Sequence, residues 1–319
     1  MSLHVFANFV TPFGTAANNR AETEGNITTL QKLLWQGETH STVSAEAIRF
    51  ALRRILAGNE KTNRAWDETV RANVWEDWAF QGWNTDTGAT YIDDDLLGFM
   101  TAEAAKAEAG EGDEQADPKD KQKKEKGTAN VRRAVLEVTR AVSLTPWAGD
   151  VTFNAASPGA TPSAQKKGSN PVPYGTEVHA TRYQYGIALT PERLRDKSRA
   201  AKAVHALCNL GTVAGNHGRF LFDFSPDAVV IRLTQDPAPR LLYCFDTADD
   251  GKTVVAPALL NRLANGDIDP KELVLGVSDL ESALAVELKS KGVPVFGVRK
   301  ACDEAVKRID EKLGLTPKE

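Results

Sequence analysis

Short apolar runs and one strongly periodic stretch dominate the pattern along this chain. His4–Val10 sets apolar residues on both sides of Asn8 and predicts a first strand running from edge to core. Ser44–Ala57 has helical periodicity, with Ile48, Ala51, Leu52, Ile55 and Leu56 in one stripe. Ser44 is placed to cap the helix, Glu46 sits in its first turn and Gly58 closes its end. Glu46, Arg49 and Arg53 fall opposite the stripe at i, i+3 and i+7.

A tryptophan-rich helix is predicted over about Ala65–Phe80, then a turn at Asn84–Gly88 and the acidic segment Tyr91–Met100. No aromatic occurs from 101 to 146, and 111–126 mixes six acids with five lysines, which predicts a solvated, disordered stretch. Helical patterning resumes near Val131–Val142. Residues 154–175 form a second, Gly/Pro/Ser/Asn-rich insertion with Lys166 and Lys167 at its tip. The strand Glu177–Leu189 puts His179, Tyr183, Tyr185 and Ile187 on one face and Arg182 and Gln184 on the other.

A helix over Arg199–Leu210 is followed by the loop Gly211–Gly218 and a strand at Arg219–Phe224. Val229–Thr234 is expected to pair with Leu241–Phe245. Short runs at Val274–Val277 and Val293–Val298 then alternate with helices near Ser278–Lys289 and Arg299–Leu313. The order is α+β, a single domain over 1–319 with two long insertions.

The 319 residues have a net charge of −4, but the balance is uneven. Residues 130–235 hold 13 lysines and arginines against 7 acids, and the rest 26 against 36. A basic middle in an acidic chain points to a local anionic ligand. Cys208, Cys244 and Cys302 make no disulfide framework and no CxxC, so three reduced, buried thiols in a cytoplasmic protein are expected. The N-terminus lacks a basic region and cleavage site, and no apolar run approaches the ~20 residues of a membrane helix.

Catalytic motifs are scarce. GTVAGNHG (Gly211–Gly218) has no GK[ST] and follows a helix, which excludes a P-loop and disfavours a dinucleotide turn. It reads either as a helix cap with a tight turn or as backbone amides that, with Arg219, hold a phosphate. The five histidines occur in neither HExxH nor HxH spacing, and no GxSxG is present. Asp93–Asp95 reads as an acidic turn at a helix start before it reads as a metal site. No metal and no cofactor is expected. Tyr183 and Tyr185 could stack bases, as in an RNA-recognition sheet, but their alternation points them to the core. The polar loop Asn18–Ser44 leading into a capped helix with two arginines is the best phosphate-facing feature.

VSAEAIRFALR (Val43–Arg53) resembles the first helix of the backbone subunits of type I CRISPR surveillance complexes, known as Cascade. Asn19–Glu22, DLLGFM (Asp95–Met100), Ala134–Ser143, Tyr183–Leu189 and Gly215–Phe222 continue the likeness in order. With ANFVTP, HSTVSAEAIRFALR and TRYQYGIAL, the chain is most similar to the DevR-type CRISPR autoregulators of the RAMP superfamily, in a type I-B-like setting.

The resemblance implies a ferredoxin-like, RRM-type palm, a finger insertion over 60–128 and a thumb hairpin over 154–178. It also implies a non-catalytic subunit whose copies stack along a guide crRNA in a helical filament. The guide would pair with target DNA, beside a large subunit and a handle-binding subunit. The guide-binding set read from resemblance and charge is Arg20, Ser44, Arg49, Arg53, Lys166, Lys167, Arg182, His217 and Arg219.

Two alternatives accompany this reading. A type III-like backbone would cleave target RNA with an acidic residue in the loop before the first helix, where Glu38 and His40 lie. A transcriptional autoregulator would bind duplex DNA, although no helix-turn-helix is readable.

Overall fold

The computed structural model describes residues 2–85, 88–102, 129–160, 165, 171–215, 217 and 219–315, with the backbone alone at 19–21, 102 and 129. Four segments build the centre of its main sheet: His4–Val10, then Leu136–Val138 with Ala141–Ser143, then Tyr183–Leu189, then Ala228–Thr234. In space the fourth lies beside the first, the first beside the third and the third beside the second, all antiparallel. Helix Ala45–Leu56 follows the first strand after five intervening strands, and Arg199–Cys208 follows the third. This is the split βαβ, ferredoxin-like arrangement expected of an RRM-type palm.

The sheet grows beyond that unit at both edges. Glu38–Val43 pairs with Ala141–Ser143 and carries the hairpin partner Lys32–Trp35. On the far side Leu273–Val277 pairs antiparallel with Ala228–Thr234, and Val295–Gly297 pairs parallel with Leu273–Val277.

Both faces of the central strands are buried. On one face Val5, Ala7, Phe9, Tyr183, Tyr185, Ile187, Val229 and Ile231 pack under helices Ala45–Leu56, Arg199–Cys208 and Val298–Leu313. On the other, Phe6, Val10, Val230 and Leu275 pack under Leu241, Phe245, Leu259, Leu284 and Leu288. A polar clamp holds that second cover in place. Asn8 Nδ2 donates to Gln184 Oε1 (3.2 Å), Gln184 Nε2 donates to the Phe245 carbonyl (2.9 Å), and Tyr243 N donates to Asn8 Oδ1 (3.1 Å). Gly186 leaves room for Leu242, whose Cδ2 would lie 2.5 Å from a Cβ there.

The tryptophan-rich segment is not a helix but a hairpin, Arg64–Asp67 with Ala72–Trp75. Asp67 Oδ1 accepts from the amides of Thr69 (2.7 Å) and Val70 (3.1 Å), and Arg71 has φ 51°, so a turn interrupts the helical pattern. Val131–Val142 is likewise extended, as Ala129–Arg132, Leu136–Val138 and Ala141–Ser143. Its valines are drawn into pairing with Phe99–Ala102 and Tyr183–Leu189, and tertiary pairing overrides local propensity. Leu241–Phe245 forms no strand, because Arg240 and Tyr243 have φ of 57° and 53°. Ala228–Thr234 takes His4–Val10 and Leu273–Val277 as partners instead. Arg219–Phe224 is also outside any ladder.

The thiol expectation is corrected too. Cys208 and Cys302 form a disulfide between helices Arg199–Cys208 and Val298–Leu313, and Cys244 alone is free. Full burial pushes the Cys244 thiol up to about 12. The disordered-stretch expectation for 111–126 lies outside the described residues.

Candidate nucleic-acid interface

The chain leaves helix Arg199–Cys208 and returns to the core at Phe224, whose amide donates to the Gly211 carbonyl at 2.7 Å. Gly215, at φ 140°, adopts a backbone that side chains resist, and a Cβ there would lie 3.5 Å from the Ala17 carbonyl oxygen. His217 donates Nε2–H to the Val213 carbonyl. Its Nδ1 is buried and has no partner among the described residues. With Nε2 donating, Nδ1 of the neutral ring is an acceptor, and leaving such a buried group unpaired costs about 1–3 kcal/mol. Arg219 is exposed, with its guanidinium 4.8 Å from the Tyr174 ring centre.

Tyr174 belongs to a second, four-stranded sheet: Val151–Ala156, Val172–Glu177, Ile27–Leu30 and Asn19–Glu24. The glycine loop, the Ala17–Asn18 turn and this sheet therefore meet at one edge. Asn18 Nδ2 donates to the Thr42 carbonyl, tying the same edge to the strand that runs into helix Ala45–Leu56. Beneath it Ser41 Oγ lies 2.7 Å from both His179 Nδ1 and Tyr183 Oη. Burial holds His179 down at about 4, so the ring is neutral near pH 7.

Ser44 caps the helix as expected, accepting from the Ala47 amide at 3.2 Å. The two helix arginines turn away from the edge, contrary to the solvent-facing placement read from periodicity. Arg49 donates to the Leu97 carbonyl, and Arg53 Nε donates to Asp93 Oδ2 at 3.1 Å with both side chains buried. Burial, with Arg64 nearby, lowers the Arg53 guanidinium to about 10.

Asp93–Asp95 forms a structural hub in helix Ile92–Leu97. Asp93 also accepts from the Asn63 and Arg64 amides, and Asp94 accepts from Asn63 Nδ2 at 2.9 Å. Asp95 takes Arg132 and Arg199 at 2.7 and 2.8 Å. Burial, then the neighbouring Asp93, pushes the Asp94 carboxyl up to about 7.

Arg182, next to Tyr183, is paired with Asp227 and the Thr11 carbonyl. The Arg20 side chain, Lys166 and Lys167 lie outside the described residues. Glu38 and His40 are in a strand rather than a loop, and His40 Nδ1 donates to the Ser143 carbonyl at 2.7 Å. Among the described residues no group of three His, Cys, Asp or Glu is placed to hold a metal ion, and no helix is long and apolar enough to cross a membrane.

Sequence reading missed Tyr174, whose signal is only an aromatic at the foot of a basic insertion. It also missed Asp93 as the partner of Arg53, which no spacing reveals across 40 positions.

A family model described as "CRISPR-associated negative auto-regulator DevR/Csa2" matches residues 11–204. The chain is 62% identical over 313 residues to a Myxococcus xanthus (strain DK1622) protein named "CRISPR-associated protein Cas7/Cst2/DevR", covering 97% of this chain and 99% of that one. Its fold is similar to a chain of a "CRISPR RNA-guided surveillance complex", at TM-score 0.55 and 15% identity over 96% of this chain and 99% of that one. A chain of a "CRISPR RNA-guided surveillance complex, pre-nicking" gives TM-score 0.57 and 14% identity over 96% and 100%. The α+β palm, the glycine loop at its edge and these likenesses agree: the chain belongs to the DevR/Csa2 family of CRISPR-associated proteins.

Proposed function

We propose that this chain is a non-catalytic, guide-RNA-binding backbone subunit of a type I CRISPR surveillance complex. Its copies line the guide crRNA, which pairs with target DNA, in a cytoplasmic assembly with a large and a handle-binding subunit. One observation carries the reading: both faces of the RRM-type sheet are covered, so bases cannot stack there as on an open RNA-recognition sheet. At the edge, the Gly215 loop beside His217, and Arg219 over Tyr174, suit a phosphate backbone and are indifferent to sequence. Segment 60–128 would act as finger and 154–178 as thumb. Ser44 contributes the helix start, while Arg49 and Arg53 support the fold beside it.

Expression with a cognate repeat transcript tests this. A discrete short RNA co-purifying in a high-mass particle is expected. Free monomer with no RNA, or preferential protection of duplex DNA in footprinting, contradicts it. The cleaving alternative is tested on target RNA with and without metal, using Glu38→Ala. Cleavage lost in that variant would favour it.

A further inference from the structure

The Cys208–Cys302 bond joins the last turn of helix Arg199–Cys208 to helix Val298–Leu313. The two sides of the link are held unequally. Helix Val298–Leu313 lies close on strand Leu273–Val277: a Cβ at Gly276 would stand 2.8 Å from Ala301 Cβ and 3.0 Å from Val298 Cα. Cys302, Ala305 and Ile309 are buried in the core on the same helix. Cys208 is half-buried at the end of its helix. There the Asn209 and Leu210 amides donate to the Ala206 and Leu207 carbonyls at 3.2 and 3.3 Å, a tightened last turn. The glycine loop starts three residues on, at Gly211, whose carbonyl accepts from the Phe224 amide. The disulfide thus tethers the root of that loop to a helix seated on the sheet.

Disulfides in reducing cytoplasms are mostly transient or redox-sensing. Access to this one is one-sided. Cys302 is 2% exposed, so an incoming thiolate meets the Cys208 sulfur. A dithiol reductant attacks there and forms a mixed disulfide with Cys208. Cys302 leaves as a thiolate and takes a proton from water. The second thiol of the reductant then attacks the mixed disulfide, and Cys208 is released as a thiol. The reductant departs as its own disulfide, and two electrons have passed to the protein. Two thiols need more room than bonded sulfurs, which sit inside van der Waals contact. Helix Val298–Leu313 is the better anchored side, so the displacement falls on the last turn of Arg199–Cys208 and on the loop behind it.

We propose that reduction of Cys208–Cys302 loosens the glycine loop and weakens the hold on guide RNA, a redox control built into the same edge. It rests on the reading of the chain as a cytoplasmic guide holder.

The test uses the full chain, oxidised or treated with dithiothreitol, at 25 °C. Fluorescein-labelled oligouridine of 20 nucleotides is the probe. The oxidised chain should bind it about tenfold more tightly than the reduced chain. Cys208→Ser should bind at the reduced level under both conditions. Hydrogen exchange at short times gives a readout without RNA: reduction should speed 209–215 about tenfold and leave 301–309 unchanged. The proposal is overturned if exchange at 209–215 ignores the redox state, or if reduction unfolds the whole chain by circular dichroism. RNA held equally in both states sinks the redox control alone. RNA held in neither state, with the loop still responding, sinks the guide-holding reading and the control over it.

Discussion

Arg53 and Asp93 are joined Nε to Oδ2 at 3.1 Å, both buried, and they tie helix Ala45–Leu56 to the short acidic helix Ile92–Leu97. Removing one partner of a buried pair strands the other charge. Arg53→Ala should therefore cost about 3 kcal/mol in urea unfolding. Arg49→Ala removes only a half-buried bond to a carbonyl and should cost about 1 kcal/mol. Equal, negligible costs would show that Arg53 is not structural.

Asp94 gives the hub a pH signature. Its folded carboxyl sits near 7, above its ordinary value of 3.8. The folded state thus holds this proton more tightly than the unfolded chain does. That contribution is complete below about pH 4 and is lost as the pH rises through 7. Asp94→Asn keeps an acceptor and removes the ionisation, so it should gain stability over the parent as pH climbs from 6 to 8.5. A constant difference between the two melting curves across that range would contradict this.

Thiol labelling checks the helix–helix link. The denatured, unreduced chain should take one alkyl group, at Cys244, and the reduced chain three. Reduction should destabilise the fold by about 4.7 kcal/mol in the chain-entropy view, given the 94-residue separation.

Gly186 tests the cover over the second sheet face. A side chain there meets Leu242 Cδ2, Asn8 Oδ1 and the Ala7 carbonyl. Gly186→Val should cost about 1–3 kcal/mol by overpacking. It should also loosen Tyr243, whose ring rests 4.9 Å from Trp35, and raise hydrogen exchange over 241–245.

The sequence announced elements whose pattern is local. His4–Val10 is a strand with those bounds, Ala45–Leu56 is capped by Ser44, and Arg199–Cys208 and Val298–Leu313 are helices near their expected ends. It misled where distant partners decide. Val131–Val142 has helical spacing yet pairs with strands on both sides, and the Asp67 turn breaks a helix that the tryptophans suggested. The glycine loop and Arg219 were legible as residues. Arg53 was legible as a charge but not as a buried one, because its partner arrives from another helix. The Cys208–Cys302 bond was hidden for the same reason.

In the proposed function, nucleic acid is held by phosphate contact at the edge carrying Arg219 and Tyr174. The most direct measurement is single-stranded RNA affinity against potassium chloride concentration for the parent and Arg219→Ala. One lost phosphate contact should flatten the log–log slope by about 0.7 while the melting temperature stays constant. An unchanged slope and affinity in a folded Arg219→Ala protein would contradict it.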